Sequence, residues 1–499
     1  MKDAIAVTIG TDGEMIHARA KRNNHSENYG LQHFVRIGGL LGRITRIENE
    51  HDFTTQNAIS RIAKKCLEKE SAPTKAQTSM TYKKLSIEPL GLVLSDGSLS
   101  EYQGGVGFFE PVHKAREEDI AALYPSIHDG VVIGSVASGC HATNVPFALP
   151  LKRHIALFGK NGTGKTNLLK ELVAANLERE KPIPMLVFGH PDLGLDNPND
   201  GGTKGLLALA DERVVAYGYD KRLELSPEEL TLTDIADQFE LSTAMRDLWR
   251  YVINRKPKRY IEILAGYDLN SDILKLRRRK IKDPKDPKKS ITKGIAGDAT
   301  IDAVSRQARI LARYVDSSAP PLIGRLLTDM TLGKTVLVNT FDMSDYYQGL
   351  FVRMILERLQ KLGKRAAHQK RERRFCVIID EAQHFIRTTG DRVAHFIQEC
   401  RKFGVTLFLA TQSPSYLPPG VFGQVHTVFS FHLNRPDMRI LAEQAPLLAD
   451  CRSIILRPPL KKTLGLGIVQ AYGYPYPAVV KIPRFERRLS QKSGGDRDD

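Results

Sequence analysis

Hydrophobic and polar positions alternate in two different ways along this chain of 499 residues. Over residues 1 to about 115 the apolar positions fall in short β-like stretches, "AIAVTIG", "HFVRIGGLLGRITRI" and "LSIEPLGLVL", separated by turn formers such as "GTDGE" and "LSDGS". That pattern predicts a small all-β unit. A helix-like stretch at roughly Thr55 to Glu70 interrupts it. "PVHKAREEDIAALYP" then reads as a short helix ended by Pro125, and "VVIGSVAS" follows. From about Asp129 to Phe485 the pattern changes: buried-strand runs alternate with amphipathic segments, as in α/β folds. The runs are "HIALFG", "PMLVFG", "RVVAYG", "TVLVNT", "FCVIID" and "VTLFLATQ". Between the fourth and fifth, Leu350, Met354, Ile355 and Leu359 share one helical face. Residues from about 227 to 314 read as a basic helical insertion without strands, and the polar, Gly-containing end "QKSGGDRDD" (residues 489–499 with its flank) as a disordered tail. The division expected is 1–115 for the β unit, 116–488 for the α/β domain and 489–499 for the tail.

Composition narrows the setting. No run of about 18 uncharged apolar residues occurs, so no helical membrane span is expected. Acidic residues near the start, where a secretory signal would need a longer apolar core, argue against a targeting segment. Five cysteines without CxxC spacing speak against a zinc site or a disulfide framework, and the simplest home is a reducing cytoplasm. The formal charge of +16 favours a polyanionic partner. Much of the excess sits in "KLRRRKIKDPKDPKKSITK", Lys275 to Lys293, where Pro284 and Pro287 forbid a continuous helix. Such a run is ordinarily a solvated loop. In a DNA-handling protein it would be a candidate for phosphate contacts, as would Lys204.

One stretch carries specific chemistry. Gly159-Lys160-Asn161-Gly162-Thr163-Gly164-Lys165-Thr166 fits GxxxxGK[ST], directly after the strand run "HIALF" and before a helical face of Leu168, Leu172 and Ala175. Glycines there let backbone N–H groups close around phosphate oxygens at the positive end of a helix. Lys165 would meet the β- and γ-phosphates of ATP, Thr166 would ligate Mg²⁺, and Asn167 would complete the nucleotide-binding set. "FCVIIDEAQHF" supplies the acids: Asp380 at the end of a buried strand for the Mg²⁺ shell, and Glu381 to orient the attacking water. Gln412, at the end of "VTLFLATQ", would face the same crevice and sense the γ-phosphate or the water. Arg153 precedes the phosphate-loop strand, and Arg401 closes the helix "RVAHFIQECRKF". A surface charge and a dipole partner are their ordinary explanations. In a ring ATPase, either would serve to stabilise transition-state charge.

Together these motifs resemble the HerA family of the HerA/FtsK superfamily. The resemblance rests on "VVIGSVASGCHATNVPFALPLKRHIALFGKNGTGKTN", "VIIDEAQHFI", "ECRKFGVTLFLATQSP" and "YPAVVKIPRFE", of which the third is the most specific. It implies an α/β P-loop NTPase with a RecA-like core, an N-terminal small barrel similar to a HAS barrel, and a helical insertion. It also implies an ATP- and Mg²⁺-dependent motor on double-stranded DNA, assembled as a homo-hexamer and working with a NurA-like nuclease or a defence effector. Lys165, Thr166, Asp380, Glu381 and Gln412 take the roles given above, with Arg153 and Arg401 acting in cis or across a subunit interface. One departure stands out: Gly189 in "VFGHPDLGLD" occupies the place of the family's usual Asp, with Asp192 as the candidate replacement. A nucleotide-gated scaffold is the competing function. A small-molecule kinase fits neither the long interval from Lys165 to Asp380 nor the β-rich N-terminal unit.

Overall fold

The structure, a computed structural model, describes residues 3–12, 14–20, 29–51, 81–127, 130–198, 202–266, 279–283, 286–293, 295–371, 373–389, 391–458 and 465–492. The N-terminal strands are β1 (Ala6–Asp12), β2 (Met15–Ala20), β3 (Phe34–Ile37), β4 (Leu40–His51), β5 (Thr81–Val93), β6 (Leu99–Ser100) and β7 (Pro111–Lys114). Pairing runs β1–β7–β3–β4–β5–β2 and returns to β1, closing a six-stranded barrel with β6 on the flank of β5. Period-two patterning explains it: Ile16, Ala18 and Ala20 of β2 point inward, to a core shared with Val35, Ile44, Leu85, Ile87 and Val112. Closure leaves the six strands without an open edge. The helix expected at Thr55 to Glu70 lies outside the described residues.

Further along come β8 (Gly130–Ser138), β9 (His141–Pro150), β10 (His154–Phe158), β11 (Met185–Gly189), β12 (Val214–Tyr217), β13 (Arg279–Asp283), β14 (Asp286–Lys293), β15 (Thr335–Asn339), β16 (Phe375–Ile379), β17 (Val405–Thr411), β18 (Val425–Ser430), β19 (Leu466–Gln470) and β20 (Ala478–Lys481). All six apolar runs named above are strands. The chain forms two compact units. The first holds residues 1–175, 412–415 and 425–499. Its strands follow the order β10–β18–β19–β20–β8–β9, with β10 and β18 parallel and the rest antiparallel. The second holds residues 176–411 and 416–424, with an all-parallel order β12–β15–β11–β16–β17. Its helix Asp345–His368 buries Leu350, Met354, Ile355 and Leu359, the face read from spacing. The result is an α/β P-loop fold with an N-terminal barrel and a helical region.

Two expectations need correction. The stretch 227–314 is helical at Leu232–Phe239, Thr243–Arg255, Tyr260–Ala265 and Asp298–Leu311, but it is not free of strands. Within the basic run, β13 and β14 pair antiparallel, with Ile281 opposite Ile291. A proline that excludes a helix does not exclude a hairpin, since Pro287 stands near the start of β14. At the other end, the helix Phe485–Lys492 runs four residues into the segment expected to be a tail. Arg488 anchors it, its Nη2 lying 2.9 Å from a carboxylate oxygen of the fully buried Glu171.

Inside the first unit the barrel is fastened to the sheet by buried polar contacts. Arg43, 2 % exposed, pairs with Glu88 at 2.7 Å and donates to the Pro477 carbonyl at 3.0 Å, which also accepts from the Tyr124 hydroxyl. Tyr476 donates to the Leu90 carbonyl at 2.6 Å. His33 packs against Gly139, where a Cβ would stand 2.1 Å from the imidazole. Burial, followed by the neighbouring His141 and Lys114, lowers His33 from its ordinary 6.5 to about 4. The unfolded chain therefore takes up this proton near pH 6.5 and the folded chain only near pH 4, so the fold loses stability as pH falls through that window. A His33→Gln variant is expected to flatten this part of the profile, as urea midpoints at pH 7 and pH 4.5 would reveal; an unchanged slope would place the acid sensitivity elsewhere.

Candidate nucleotide site

β10 is buried along its whole length and delivers the chain into the loop Gly159–Thr166. Gly162 (φ 73°) and Gly164 (φ 111°) hold left-handed backbone that a side chain would strain. At Gly159 the limit is space: a Cβ would lie 2.8 Å from Thr163 Oγ1 and 2.9 Å from Phe431 Cβ. Phe431 forms the floor, its N–H bonded to the Phe158 carbonyl, while the Lys160 N–H donates to the His432 carbonyl. The Thr163 hydroxyl closes the turn on the Lys160 carbonyl at 2.7 Å. Lys165, 6 % exposed, folds back over this turn with Nζ 2.8 Å from the Gly159 carbonyl and 3.5 Å from that of Lys160.

The donor set fits a triphosphate. A buried ammonium lies against loop carbonyls at the start of the helix Lys165–Leu177, which has no acidic residue in its first turn. Thr166 is only half-buried at that helix start, a position suited to a Mg²⁺ ligand. Asn161 and Gly162 are exposed. Asn167 has a different task. Its amide donates to the Pro483 carbonyl at 2.7 Å and accepts from the Phe485 N–H at 2.9 Å, tying the closing helix to the phosphate-loop helix. Lys160 points away to Asp437, with Nζ to Oδ2 at 2.6 Å.

In the second unit, β16 is buried throughout and ends at Asp380, whose N–H extends the ladder to the Phe188 carbonyl at 2.9 Å. Asp380 is 5 % exposed and accepts the Glu381 N–H at 3.0 Å. Glu381 sits at φ 50°, a left-handed conformation costly for a non-glycine residue and frequent at functional sites. Gln383, 6 % exposed, donates its amide to the Glu381 carboxylate. Sequence reasoning missed Gln383; the signal was the amide-bearing residue that ends "DEAQ". Gln412 directly follows β17 and belongs to the first unit, with the phosphate loop.

The arginines are placed otherwise. Arg153 stands at the amino end of β10 with its guanidinium 4.7 Å from the centre of the Tyr472 ring. Its own loop lies beyond five residues of strand, about 16 Å of chain. Arg401 begins a single 3₁₀ turn, Arg401–Phe403, closed by Gly404 at φ 77°. That turn feeds the amino end of β17, whose Val405 is level with Phe375 at the start of the parallel β16, whereas Asp380 follows its far end. Strand direction thus separates each arginine from the carboxyl-end groups of its own unit. Lys204 pairs with Asp196 at 2.7 Å on the surface.

Gly189 ends β11, and a Cβ there would stand 2.9 Å from Leu193 Cδ2 and 3.6 Å from Asp380 Cβ. The place of the expected aspartate is therefore filled by the buried Leu193. Asp192 is half-buried on the turn Pro191–Gly194 and, with burial as the larger cause, helps hold the Tyr219 hydroxyl above its ordinary range. A Gly189→Asp variant is expected to lose roughly 1–3 kcal/mol of stability through overpacking, partly regained with Leu193→Ala. Thermal unfolding of the two variants is the check; an unperturbed single variant would mean that the strand end has room for the carboxylate.

Comparison with known proteins agrees with this geometry. Residues 131–359 match the family model described as Helicase HerA, central domain. Among curated proteins, a probable helicase, MJECL08, of Methanocaldococcus jannaschii is 30% identical over 154 residues, 29% of each chain. The DNA double-strand break repair helicase HerA of Sulfolobus acidocaldarius is 21% identical over 402 residues, 76% of this chain and 74% of that protein. The chain thus matches less than a third of the first relative's length. Among solved structures, the conjugative coupling protein TrwB aligns over 72% of this chain and 95% of its own at 13% identity and a TM-score of 0.46. At that distance the likeness does not bear on function. With its phosphate loop and acidic strand end in place, the chain is similar to the HerA family of P-loop proteins, whose central domain residues 131–359 match.

Proposed function

We infer that this chain is an ATPase that drives the movement of double-stranded DNA through a homo-hexameric ring, working with a nuclease partner in DNA end processing or defence. The observation that carries the reading is that the chain holds both a complete phosphate loop and, in its other unit, Glu381, an acid kept in strained backbone and bonded by Gln383. Lys165 would leave the Gly159 carbonyl for the β- and γ-phosphates. Thr166 and Asp380 would hold Mg²⁺, which offsets phosphate charge when bound. Glu381 would then take the proton of the attacking water, with Gln412 reading the γ-phosphate. Since strand direction puts Arg153 and Arg401 away from the carboxyl ends of their own strands, they would serve a neighbouring subunit. Contacts of that kind are heterologous and close into rings. The basic balance and the β13–β14 hairpin supply the attraction for DNA. A cytoplasmic location agrees with the buried free thiols Cys376, Cys400 and Cys451. No helix among the described residues is long and apolar enough to cross a membrane.

Gly189 favours a second reading, a nucleotide-gated scaffold that switches on a nuclease or effector while hydrolysis is secondary. Steady-state turnover separates the two. The motor reading expects ATP hydrolysis stimulated by duplex DNA, abolished by Lys165→Ala and lowered by about 10²–10⁴-fold in Glu381→Gln, the contribution typical of a positioned base. An unstimulated wild type would sink it. Partner activity that needs ATP binding yet survives Glu381→Gln would establish the scaffold.

The hairpin makes a separate forecast. Replacing Lys280, Lys282, Lys288 and Lys289 by Gln is expected to reduce the slope of log affinity for duplex DNA against log salt by about 3–4, near 0.9 for each phosphate that is no longer neutralised. An unaltered slope would remove the hairpin from the DNA-binding surface.

A further inference from the structure

The first unit contains a buried carboxylate that the nucleotide chemistry described above does not use. Asp437 lies in the third position of the helix Arg435–Gln444, its side chain 9 % exposed. Asn434 caps that helix by accepting the Asp437 N–H at 2.9 Å. The two Asp437 oxygens reach two different parts of the site. Oδ2 meets Lys160 Nζ of the phosphate loop at 2.6 Å. Oδ1 accepts the hydroxyl of Ser413, the residue after Gln412. Ser413 in turn bonds Ser415, hydroxyl to hydroxyl at 2.7 Å and with the Ser415 N–H at 3.2 Å, which shapes the turn after Gln412.

We propose that Asp437 is a positioning residue: it fastens Lys160 to Ser413, so that Gln412 stays in register with the phosphate loop. The proposal rests on the ATPase reading above. A triphosphate in the loop attracts Lys160 inward, and the ion pair with Asp437 opposes that pull. The Lys160 side chain is 36 % exposed but its partner is buried, so solvent screens the pair only in part. Asparagine at 437 retains an acceptor for Ser413 and removes the charge that holds Lys160. Alanine at 413 removes the other end.

The experiment uses the full chain carrying Asp437→Asn, Ser413→Ala or Gln412→Ala, and the Asp437→Asn/Gln412→Ala combination. ATP turnover is read beside equilibrium binding of a fluorescent ATP analogue. Removing a charge-assisted bond that sets Gln412 is expected to lower kcat by about tenfold while nucleotide affinity stays within about threefold. The combined variant is expected to be no slower than the slower single one, because both changes remove the same positioning. Combined losses that multiply, a loss confined to nucleotide affinity, or an unchanged kcat would overturn the proposal. Should Asp437→Asn not fold, Ser413→Ala paired with Gln412→Ala makes the same comparison. A wild type without hydrolysis would overturn the ATPase reading together with the proposal; an active wild type matched by Asp437→Asn would overturn the proposal alone.

Discussion

Everything at the nucleotide site depends on a backbone turn that has no room for side chains. Gly159 is pressed between Thr163 and Phe431, and Gly162 and Gly164 supply the left-handed angles that shape the turn on which Lys165 rests. The turn is also held from below by residues far along the chain, with Phe431 and His432 bonded to Phe158 and Lys160. The antiparallel strands β18–β20 and the closing helix are thus part of the site's foundation. Asn167 and Glu171 of the phosphate-loop helix each hold that helix, one through the backbone of Pro483 and Phe485, the other through Arg488. A change at Phe485 or Arg488 is therefore felt at Thr166 through a single short helix.

The candidate residues fall in two folding units. One carries the loop, Gln412 and Asp437; the other carries Asp380, Glu381 and Arg401. Within each, a buried strand brings its acid or loop to a carboxyl end and leaves an arginine at the opposite end. This polarity follows from parallel pairing, in which all strands emerge on the same side. At Gly189 the strand end beside Asp380 is packed with hydrocarbon, because Leu193 occupies the side-chain space.

What could be read in the sequence was what local chemistry dictates. Runs such as "HIALF" and "FCVII" have one structural outcome when a glycine loop or an acidic turn follows, so β10, β16, the phosphate loop and the acidic pair were all legible. The barrel's strands were legible for the same reason, but its closure was not, because it depends on β1 meeting both β2 and β7 across the length of the domain. The hairpin escaped because charge masks a two-residue period. Asn167 and Lys160 were assigned to the nucleotide by their place in the motif, whereas their partners, Pro483, Phe485 and Asp437, lie hundreds of residues away. Long-range hydrogen bonds leave no periodic trace, and Asp437 became visible only in three dimensions.

The central claim is that Lys165, now resting on the Gly159 carbonyl, is the group that meets the triphosphate. The most direct measurement is a structure of the chain with a non-hydrolysable ATP analogue and Mg²⁺. The expected result is phosphates cradled by the N–H groups of residues 161–166, Lys165 Nζ transferred from the Gly159 carbonyl to the β- and γ-phosphate oxygens, and Thr166 on the metal. Nucleotide bound elsewhere, or bound at the loop with Lys165 still on the Gly159 carbonyl, would contradict it.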